Sequence, residues 1–149
     1  MSKFSKFAKK GKMFLGRFDI SAQLTFTRNF RPCEYKRMGD LLYFFLYIID
    51  GKEHVGKVGK TVNWHTREST YLKPSDPTTM VILREATLRN ITTIKVYAMP
   101  INRIKNAITS EFTGIEYVVH TSNLIEQEKK YIKEAIDAGE TLIFNIQKK

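Results

Sequence analysis

Apolar residues along this chain are grouped in short runs and alternations, a pattern typical of strands that alternate with amphipathic helices. The longest run is Leu41–Ile49, nine apolar residues rich in aromatic and β-branched side chains. Asp50-Gly51 follows it, and such a dipeptide favours a tight hairpin turn. The pattern therefore predicts a buried strand, a turn, and a second strand at about residues 54–59.

Further elements are predicted on both sides of this hairpin. Alternating apolar residues predict a strand within 18–30, which Arg31-Pro32 ends, and apolar clusters predict strands at 92–99 and 115–120 and a short extended segment at 141–147. Helices are predicted after the N-cap Asn63, from Asp76-Pro77 to about residue 90, and over 123–138, where Gly139 ends the helix. The expected fold class is α+β, with a small, mainly antiparallel central sheet flanked by helices.

Length and composition limit the class of protein. A chain of 149 residues with 42% hydrophobic residues is large enough for one compact domain with a single core. No stretch approaches the roughly 18 apolar residues of a membrane span, and Met13-Phe14-Leu15 is too short for the apolar region of a signal peptide. Cys33 is the single cysteine, which excludes a disulfide framework and favours the cytoplasm.

The net charge of +10 predicts a polyanionic partner, with nucleic acid favoured over an anionic membrane surface. Residues 1–40 contribute +7 of this charge, from ten basic residues and three acidic ones, and phenylalanines are interleaved with the lysines. Two structures fit this segment: a basic arm that tracks phosphates, which is favoured, and an amphipathic helix packed through its phenylalanines. A segment lying on a membrane surface is the least favoured alternative.

The central hairpin and the helix after it carry a motif with a defined spacing. Phe45-Leu46-Tyr47 is followed, after nine residues, by Lys57-Val58-Gly59, and then by Lys60, Thr61, Asn63 and Arg67. This arrangement resembles the GIY-YIG nucleases, in which two tripeptides precede the pattern Lys-Thr-x-Asn-x-x-x-Arg. Lys57 departs from that family by standing in the place of its second motif tyrosine.

A second part of the resemblance lies near the end of the chain. The family carries a glutamate on a late helix, in the pattern Glu-x-x-x-Ile-Lys, and an asparagine close to the chain end. Glu128 with Ile132-Lys133 fits the first feature and Asn145 fits the second. Glu126 is the alternative glutamate, two residues earlier and therefore on a different face of the helix. The resemblance covers roughly residues 41–147.

The spacing of residues disfavours two other kinds of site. A phosphate-binding P-loop ending at Gly59-Lys60-Thr61 requires a glycine where the chain has His54. Cys33 and the three histidines, which include His65 and His120, match no short-range zinc pattern.

The resemblance implies a DNA endonuclease that hydrolyses phosphodiester bonds with a divalent metal, Mg²⁺ or Mn²⁺. It also implies that the protein is encoded by a phage or a mobile element. Glu128 is expected to anchor the metal, Arg67 to stabilise charge on the phosphate, and Tyr47 to orient or deprotonate the attacking water. Two hypotheses stay open for Lys57. It is the general base if burial lowers its pKa, or it binds a phosphate of the substrate.

Duplex DNA is the expected partner, no membrane partner is expected, and a homo-oligomer is compatible with the sequence. Residues 1–40 are expected to form a basic extension and residues 41–149 a GIY-YIG-like nuclease domain. Two other functions stay open: a DNA-binding protein of this fold that has lost cleavage, and a basic module that binds RNA or another partner. The expected nucleic-acid-binding residues are Lys9, Lys10, Lys12, Arg17, Lys60, Asn63, Tyr71, Asn145 and Arg84, the last of which fits a surface charge better.

Overall fold

A computed structural model describes residues 3–21, 23–101 and 115–145, and gives the helical backbone alone for residues 115–123. In chain order the elements are α1 (Lys3–Lys9), β1 (Met13–Ile20), β2 (Leu24–Arg28), α2 (Pro32–Met38), β3 (Leu41–Ile49), β4 (Lys52–Thr61), α3 (Trp64–Tyr71), α4 (Pro77–Leu88), β5 (Thr93–Pro100) and α5 (Ile115–Asp137). No helix within these ranges combines the length and the apolar character needed to cross a bilayer.

The strands form one five-stranded sheet in the order β2-β1-β5-β3-β4. Every neighbouring pair is antiparallel, and β5 lies between the β1–β2 hairpin and the β3–β4 hairpin. The predicted α+β class, with helices flanking a central antiparallel sheet, is confirmed.

The central hairpin follows the apolar pattern closely. β3 occupies the predicted nine residues, and the turn places Asp50 at φ 52° and Gly51 at φ 74°, both in the left-handed region that a type I′ turn requires. Alternate side chains of β3 enter two separate cores: Phe45 packs with α3 and α4, whereas Phe44 packs with α1 and α5. The run lacks polar residues because both faces of this strand are covered.

A β-bulge at Gly56 sets the register at the far end of the hairpin. Phe45 pairs with Lys57 but Leu46 pairs with Val55, so Gly56 is the unpaired additional residue. The Phe144 ring lies against Gly56, where an added Cβ would be 2.4 Å from a ring carbon. The Phe144 amide also donates to the Gly56 carbonyl at 2.8 Å. Glycine is therefore required by the close approach of a residue distant in the sequence.

Residues 3–21 and 23–40 are part of the folded domain, so the favoured prediction of an arm that orders only on DNA does not describe them, whereas contact of this segment with DNA stays a prediction. In α1, Phe4 and Ala8 are buried against β3, β4 and α5, and the Phe7 ring stacks on Tyr131 at 5.2 Å between centroids. β1 pairs with β5 over Met13–Asp19, so the segment supplies two of the five strands. The alternative helix packed through its phenylalanines is the structure observed, because aromatic burial outweighs the repulsion of exposed lysines.

Three other predicted elements differ from the structure. The strand expected within 18–30 is a hairpin whose partner strands keep the same alternation, since Phe18 pairs with Phe26. Residues 115–120 are helical and extend α5 backwards, because the strand propensity of a short apolar run yields to the helix that follows it. Residues 141–145 form turns that cover the edge of β4 and no strand. The helix α4, by contrast, begins as predicted, with the Asp76 carboxylate accepting from the Thr78 and Thr79 amides.

An ion pair between a buried glutamate and a partly exposed arginine joins α3 to the β1–β2 hairpin. The Glu68 side chain is 0% exposed, and Arg28 on β2 meets it with Nε donating to Oε1 at 3.0 Å and Nη2 lying 2.6 Å from Oε2. Breaking such a pair leaves an uncompensated buried charge. Arg67 directly precedes Glu68 on α3, so the contact that anchors Glu68 also positions the backbone of Arg67.

Candidate active site

A hollow opens at the outer edge of the sheet, where α3, α5 and residues 140–145 meet the edge strand β4. Its volume is about 520 Å³. It is lined by Tyr43, Lys57, Val58, Gly59, Lys60, Arg67, Tyr71, Thr78, Glu128, Ile132 and Asn145. We refer to this cavity as the hollow. It brings together Lys57, Arg67 and Glu128, which lie 10 and 61 residues apart along the chain.

Lys57 is the buried cation of the hollow. Its side chain is 9% exposed, and its ammonium makes no ion pair or hydrogen bond with another residue in the described ranges. Burial lowers the pKa of this ammonium to about 8; the Glu128 carboxylate opposes the shift, and the charges of Arg67 and Lys60 add to it. About a tenth of the amine is therefore neutral at pH 7 and about half at pH 8.

The N-terminal cap of α3 determines where Arg67 projects. The Asn63 side chain accepts from the Thr66 amide at 3.3 Å, and Thr61 Oγ1 bridges the Asn63 amide and carbonyl at 3.1 and 3.0 Å. Asn63 is thus a structural cap, as predicted from its position. Arg67 lies on the exposed side of α3, and its guanidinium makes no ion pair or hydrogen bond within the part of the chain that the structure describes. Its planar set of donors is available to an oxyanion in the hollow.

Glu128 on α5 is the carboxylate that lines the hollow among the described residues. Its side chain is 21% exposed, and Oε1 accepts from Lys60 Nζ at 3.4 Å. Glu126 is exposed and does not line the hollow.

A magnesium ion fits this donor set. The described ranges hold no group of three or more His, Cys, Asp or Glu side chains suited to a closed metal cage. Mg²⁺ does not need such a cage, because it keeps several waters and binds through one or two carboxylates together with substrate phosphate. A single partly exposed carboxylate facing a cavity lined by Lys57, Lys60 and Arg67 meets that requirement.

Two buried tyrosines close the inner wall. The hydroxyl groups of Tyr43 and Tyr71 share a hydrogen bond of 2.6 Å. Burial raises the pKa of Tyr43 to about 12, against smaller opposing effects of Tyr71 and Arg67, and burial raises the pKa of Tyr71 well above its ordinary value. Both phenols are neutral near pH 7, and after one hydroxyl donates to the other, one hydroxyl hydrogen remains for a ligand.

Tyr47, the tyrosine expected to act on water, is not among the residues that line the hollow. It stacks on His54 at 5.3 Å and meets Phe144 at 5.6 Å, and it lines a separate cavity of about 250 Å³. Burial, and to a smaller extent the Glu140 charge, raises the pKa of its hydroxyl. Tyr43, four residues earlier on the same face of β3, is the tyrosine of that strand that lines the hollow.

The pairing of β3 with β4 explains why Tyr43 and not Tyr47 lines the hollow. Tyr43 pairs with Gly59, and its ring covers that glycine so closely that an added Cβ would lie 2.3 Å from Tyr43 Cζ. Tyr47 pairs with His54, near the turn. In a hairpin, residues at equal distances from the turn lie opposite each other. Counting outwards from Asp50-Gly51 places Tyr43 within one residue of Gly59, and this count was the sequence signal that could have identified Tyr43.

Asn145 lines the hollow, and its side chain is engaged with the backbone of β4. Its Oδ1 accepts from the Val58 amide and its Nδ2 donates to the Val58 carbonyl, each at 3.1 Å. Nearby, the Val55 amide donates to Glu140 Oε2 at 3.0 Å. These contacts satisfy the outward-facing groups of an edge strand, which protects the edge and holds Lys57 in place.

The other predicted nucleic-acid residues lie outside the hollow. Lys9 pairs with Glu53 at 3.4 Å, the Lys12 ammonium lies 4.0 Å over the Phe7 ring, and Arg17 pairs with Asp19 at 3.3 Å. Lys10 is exposed just after α1, and Arg84 is exposed on α4. Lys60 and Tyr71 do line the hollow.

Comparisons of the chain with protein-family models, with curated proteins and with solved structures gave no match. The chemistry of the hollow is nevertheless specific. Among the described residues it combines a buried amine that is partly neutral at physiological pH, a guanidinium without an ion-pair partner and one carboxylate. Such groups can bind a phosphate, stabilise additional charge on it and accept a proton from water.

Proposed function

We propose that this protein is a metal-dependent endonuclease that hydrolyses phosphodiester bonds of DNA with GIY-YIG-type chemistry, in the cytoplasm. The observation that carries the proposal is the convergence of Lys57, Arg67 and Glu128 on one hollow at the edge of the sheet. Such a convergence would be unusual for residues that serve the fold alone, because a buried lysine with no ion-pair partner in the described ranges destabilises the fold.

The charge of the hollow favours a phosphate. Lys57, Lys60 and Arg67 face one carboxylate, Glu128, so the cavity is cationic in either protonation state of Lys57. The whole chain carries +10, which attracts a polyanion over long range and makes binding dependent on salt. Among polyanions, DNA is favoured by the resemblance to the GIY-YIG nucleases.

Lys57 acts as the general base in this mechanism. Its neutral amine takes a proton from a water molecule as the water oxygen bonds to phosphorus. Charge accumulates on the non-bridging oxygens, where Arg67 and the hydroxyl hydrogen of the Tyr43–Tyr71 pair donate to it. The ester P–O bond then breaks, the leaving oxygen takes a proton from solvent water, and the Lys57 ammonium returns its proton to solvent.

Glu128 would hold the Mg²⁺ or Mn²⁺ ion, with Lys60 fixing the orientation of its carboxylate. The bound metal would supply charge neutralisation at the phosphate. The protein's own residues exclude water from the inner wall, since Tyr43 and Tyr71 are 2% and 1% exposed.

The test is a plasmid-nicking assay with Mg²⁺ and with a chelator. We expect nicking that requires the metal, loss of nicking in Glu128→Ala, and retention in Glu126→Ala, a matched control two residues away on the same helix. Equal activity of the two variants would refute the assigned role of Glu128. Salt-dependent binding to duplex DNA without any cleavage would instead identify a DNA-binding protein, and preference for RNA would identify an RNA-binding module.

A further inference from the structure

Two further cavities adjoin the hollow and share lining residues with it. The first, of about 580 Å³, shares Lys60 and Arg67 with the hollow and is otherwise lined by Thr61, Val62, Asn63, Thr66, Thr70 and Leu124; we call it the α3 cavity. The second, of about 530 Å³, shares Asn145 and is otherwise lined by Val81, Arg84, Glu85, Arg89, Thr141, Leu142 and Ile143; we call it the α4 cavity. Each of the two outer cavities therefore has a wall in common with the hollow.

The two outer cavities differ in charge. Apart from the shared Lys60 and Arg67, the α3 cavity is lined by uncharged residues, including the hydroxyls of Thr66 and Thr70. The α4 cavity has two cations of its own, Arg84 and Arg89, against one carboxylate.

Glu85 organises the two arginines of the α4 cavity. Arg89 Nη1 donates to Glu85 Oε2, and Arg84 Nη2 lies 3.7 Å from Glu85 Oε1. One carboxylate thus holds two guanidinium groups beside the same cavity and leaves a net positive charge of one. Both arginine side chains keep substantial exposure, 39% for Arg89 and 65% for Arg84, so their remaining donors can reach a ligand.

Asn145 forms the wall that the α4 cavity and the hollow share. Both polar atoms of its side-chain amide are hydrogen-bonded to the backbone of Val58, and these bonds hold the Asn145 side chain in place between the two cavities. Neighbouring phosphates of one DNA strand rise by about 3.4 Å along the helix axis. A strand with one phosphate in the hollow carries further phosphates at short intervals, so a strand that crosses Asn145 brings one of them to the α4 cavity.

We infer that the α4 cavity is a second phosphate subsite, in which Arg89 and Arg84 bind a phosphodiester flanking the one held in the hollow. This inference rests on the proposed function, because it takes the ligand of the hollow to be DNA. The cleaved strand then runs across α4, past Asn145, and towards the α3 cavity, which shares Lys60 and Arg67 with the hollow.

The experiment measures binding to a labelled DNA duplex across a salt series in the Glu128→Ala background, where cleavage is absent. Each phosphate contact contributes about 0.9 to the slope of log K against log salt. We expect Arg89→Ala to reduce the slope by about 0.9, so that raising salt from about 50 to about 200 mM weakens binding by about 3.5-fold less than in the parent. Arg89→Lys should keep the slope, because an ammonium retains the charge.

Arg31→Ala is the matched control. Arg31 is also an exposed arginine paired with a glutamate of its own helix, 3.3 Å from Glu34, but it lies at α2. A slope for Arg89→Ala equal to that of Arg31→Ala would overturn the subsite. A wild-type protein that binds DNA but never cleaves it would overturn the nuclease proposal alone, since the slope comparison is made without cleavage.

Discussion

Replacing Lys57 with methionine should make the protein more stable and inactive at the same time. Methionine has a similar length and an unbranched, adaptable side chain, so it can occupy the buried space without a charge. Wild type must keep an ammonium in an environment that disfavours it, with the pKa lowered from 10.5 to about 8. At one pKa unit per 1.36 kcal/mol, this burial costs about 3 kcal/mol near neutral pH.

The pH dependence of this difference has a definite sign. Because the folded-state pKa lies below the unfolded-state pKa, the unfolded chain binds more protons between about pH 8 and about pH 10.5. The free energy of unfolding of wild type therefore rises through this window relative to the variant. The advantage of Lys57→Met should be about 3 kcal/mol at and below about pH 8 and should approach zero near about pH 10.5.

Urea denaturation of both proteins at a series of pH values measures this difference directly. Lys52→Met is the control, because Lys52 is exposed at the start of β4 and its replacement should change stability by about 0.5 kcal/mol or less. Two results would refute the interpretation of Lys57 as a cation destabilised by burial. One is a Lys57→Met protein less stable than wild type at neutral pH, and the other is a difference in the free energy of unfolding that does not shrink as pH rises.

Two further predictions concern the same hollow. If the neutral Lys57 amine is the base, kcat/KM should rise about tenfold per pH unit below about pH 8 and then level off, and Lys57→Arg should bind DNA without cleaving it; a flat profile would contradict this role. Gly59→Ala should destabilise the fold by about 1–3 kcal/mol in urea denaturation, because its Cβ would lie 2.3 Å from the buried Tyr43 ring, and Tyr43→Leu should recover part of the loss; wild-type stability in Gly59→Ala would show that the ring is not confined.

Local chemistry explains which elements were predictable. The strand Leu41–Ile49 and its turn were predicted from an unbroken apolar run and from Asp50-Gly51, a pair that tolerates the left-handed backbone. The start of α4 followed from Asp76 and Pro77, which cap and begin a helix through neighbouring groups. These features depend on contacts within a few residues, so an amino-acid pattern is enough to predict them.

Tyr43 rather than Tyr47 lines the hollow, which depends on the pairing within the hairpin and on a contact from outside it. Phe144 fills the space over Gly56 and stabilises the bulge there, and that bulge sets Tyr43 opposite Gly59. Motif spacing counts residues along one chain segment and contains no information about a ring that arrives from the other end of the protein.

By itself, the sequence determined that this is a basic α+β domain with a buried central hairpin, an α3 helix capped by Asn63, and Arg67 on that helix. Tertiary structure alone decided that α1 packs into the domain, that Lys57 is buried, and that Glu128 shares its cavity. The physical reason is that charge state and burial are set by the sum of distant neighbours, whereas strand and helix boundaries are set largely by adjacent ones.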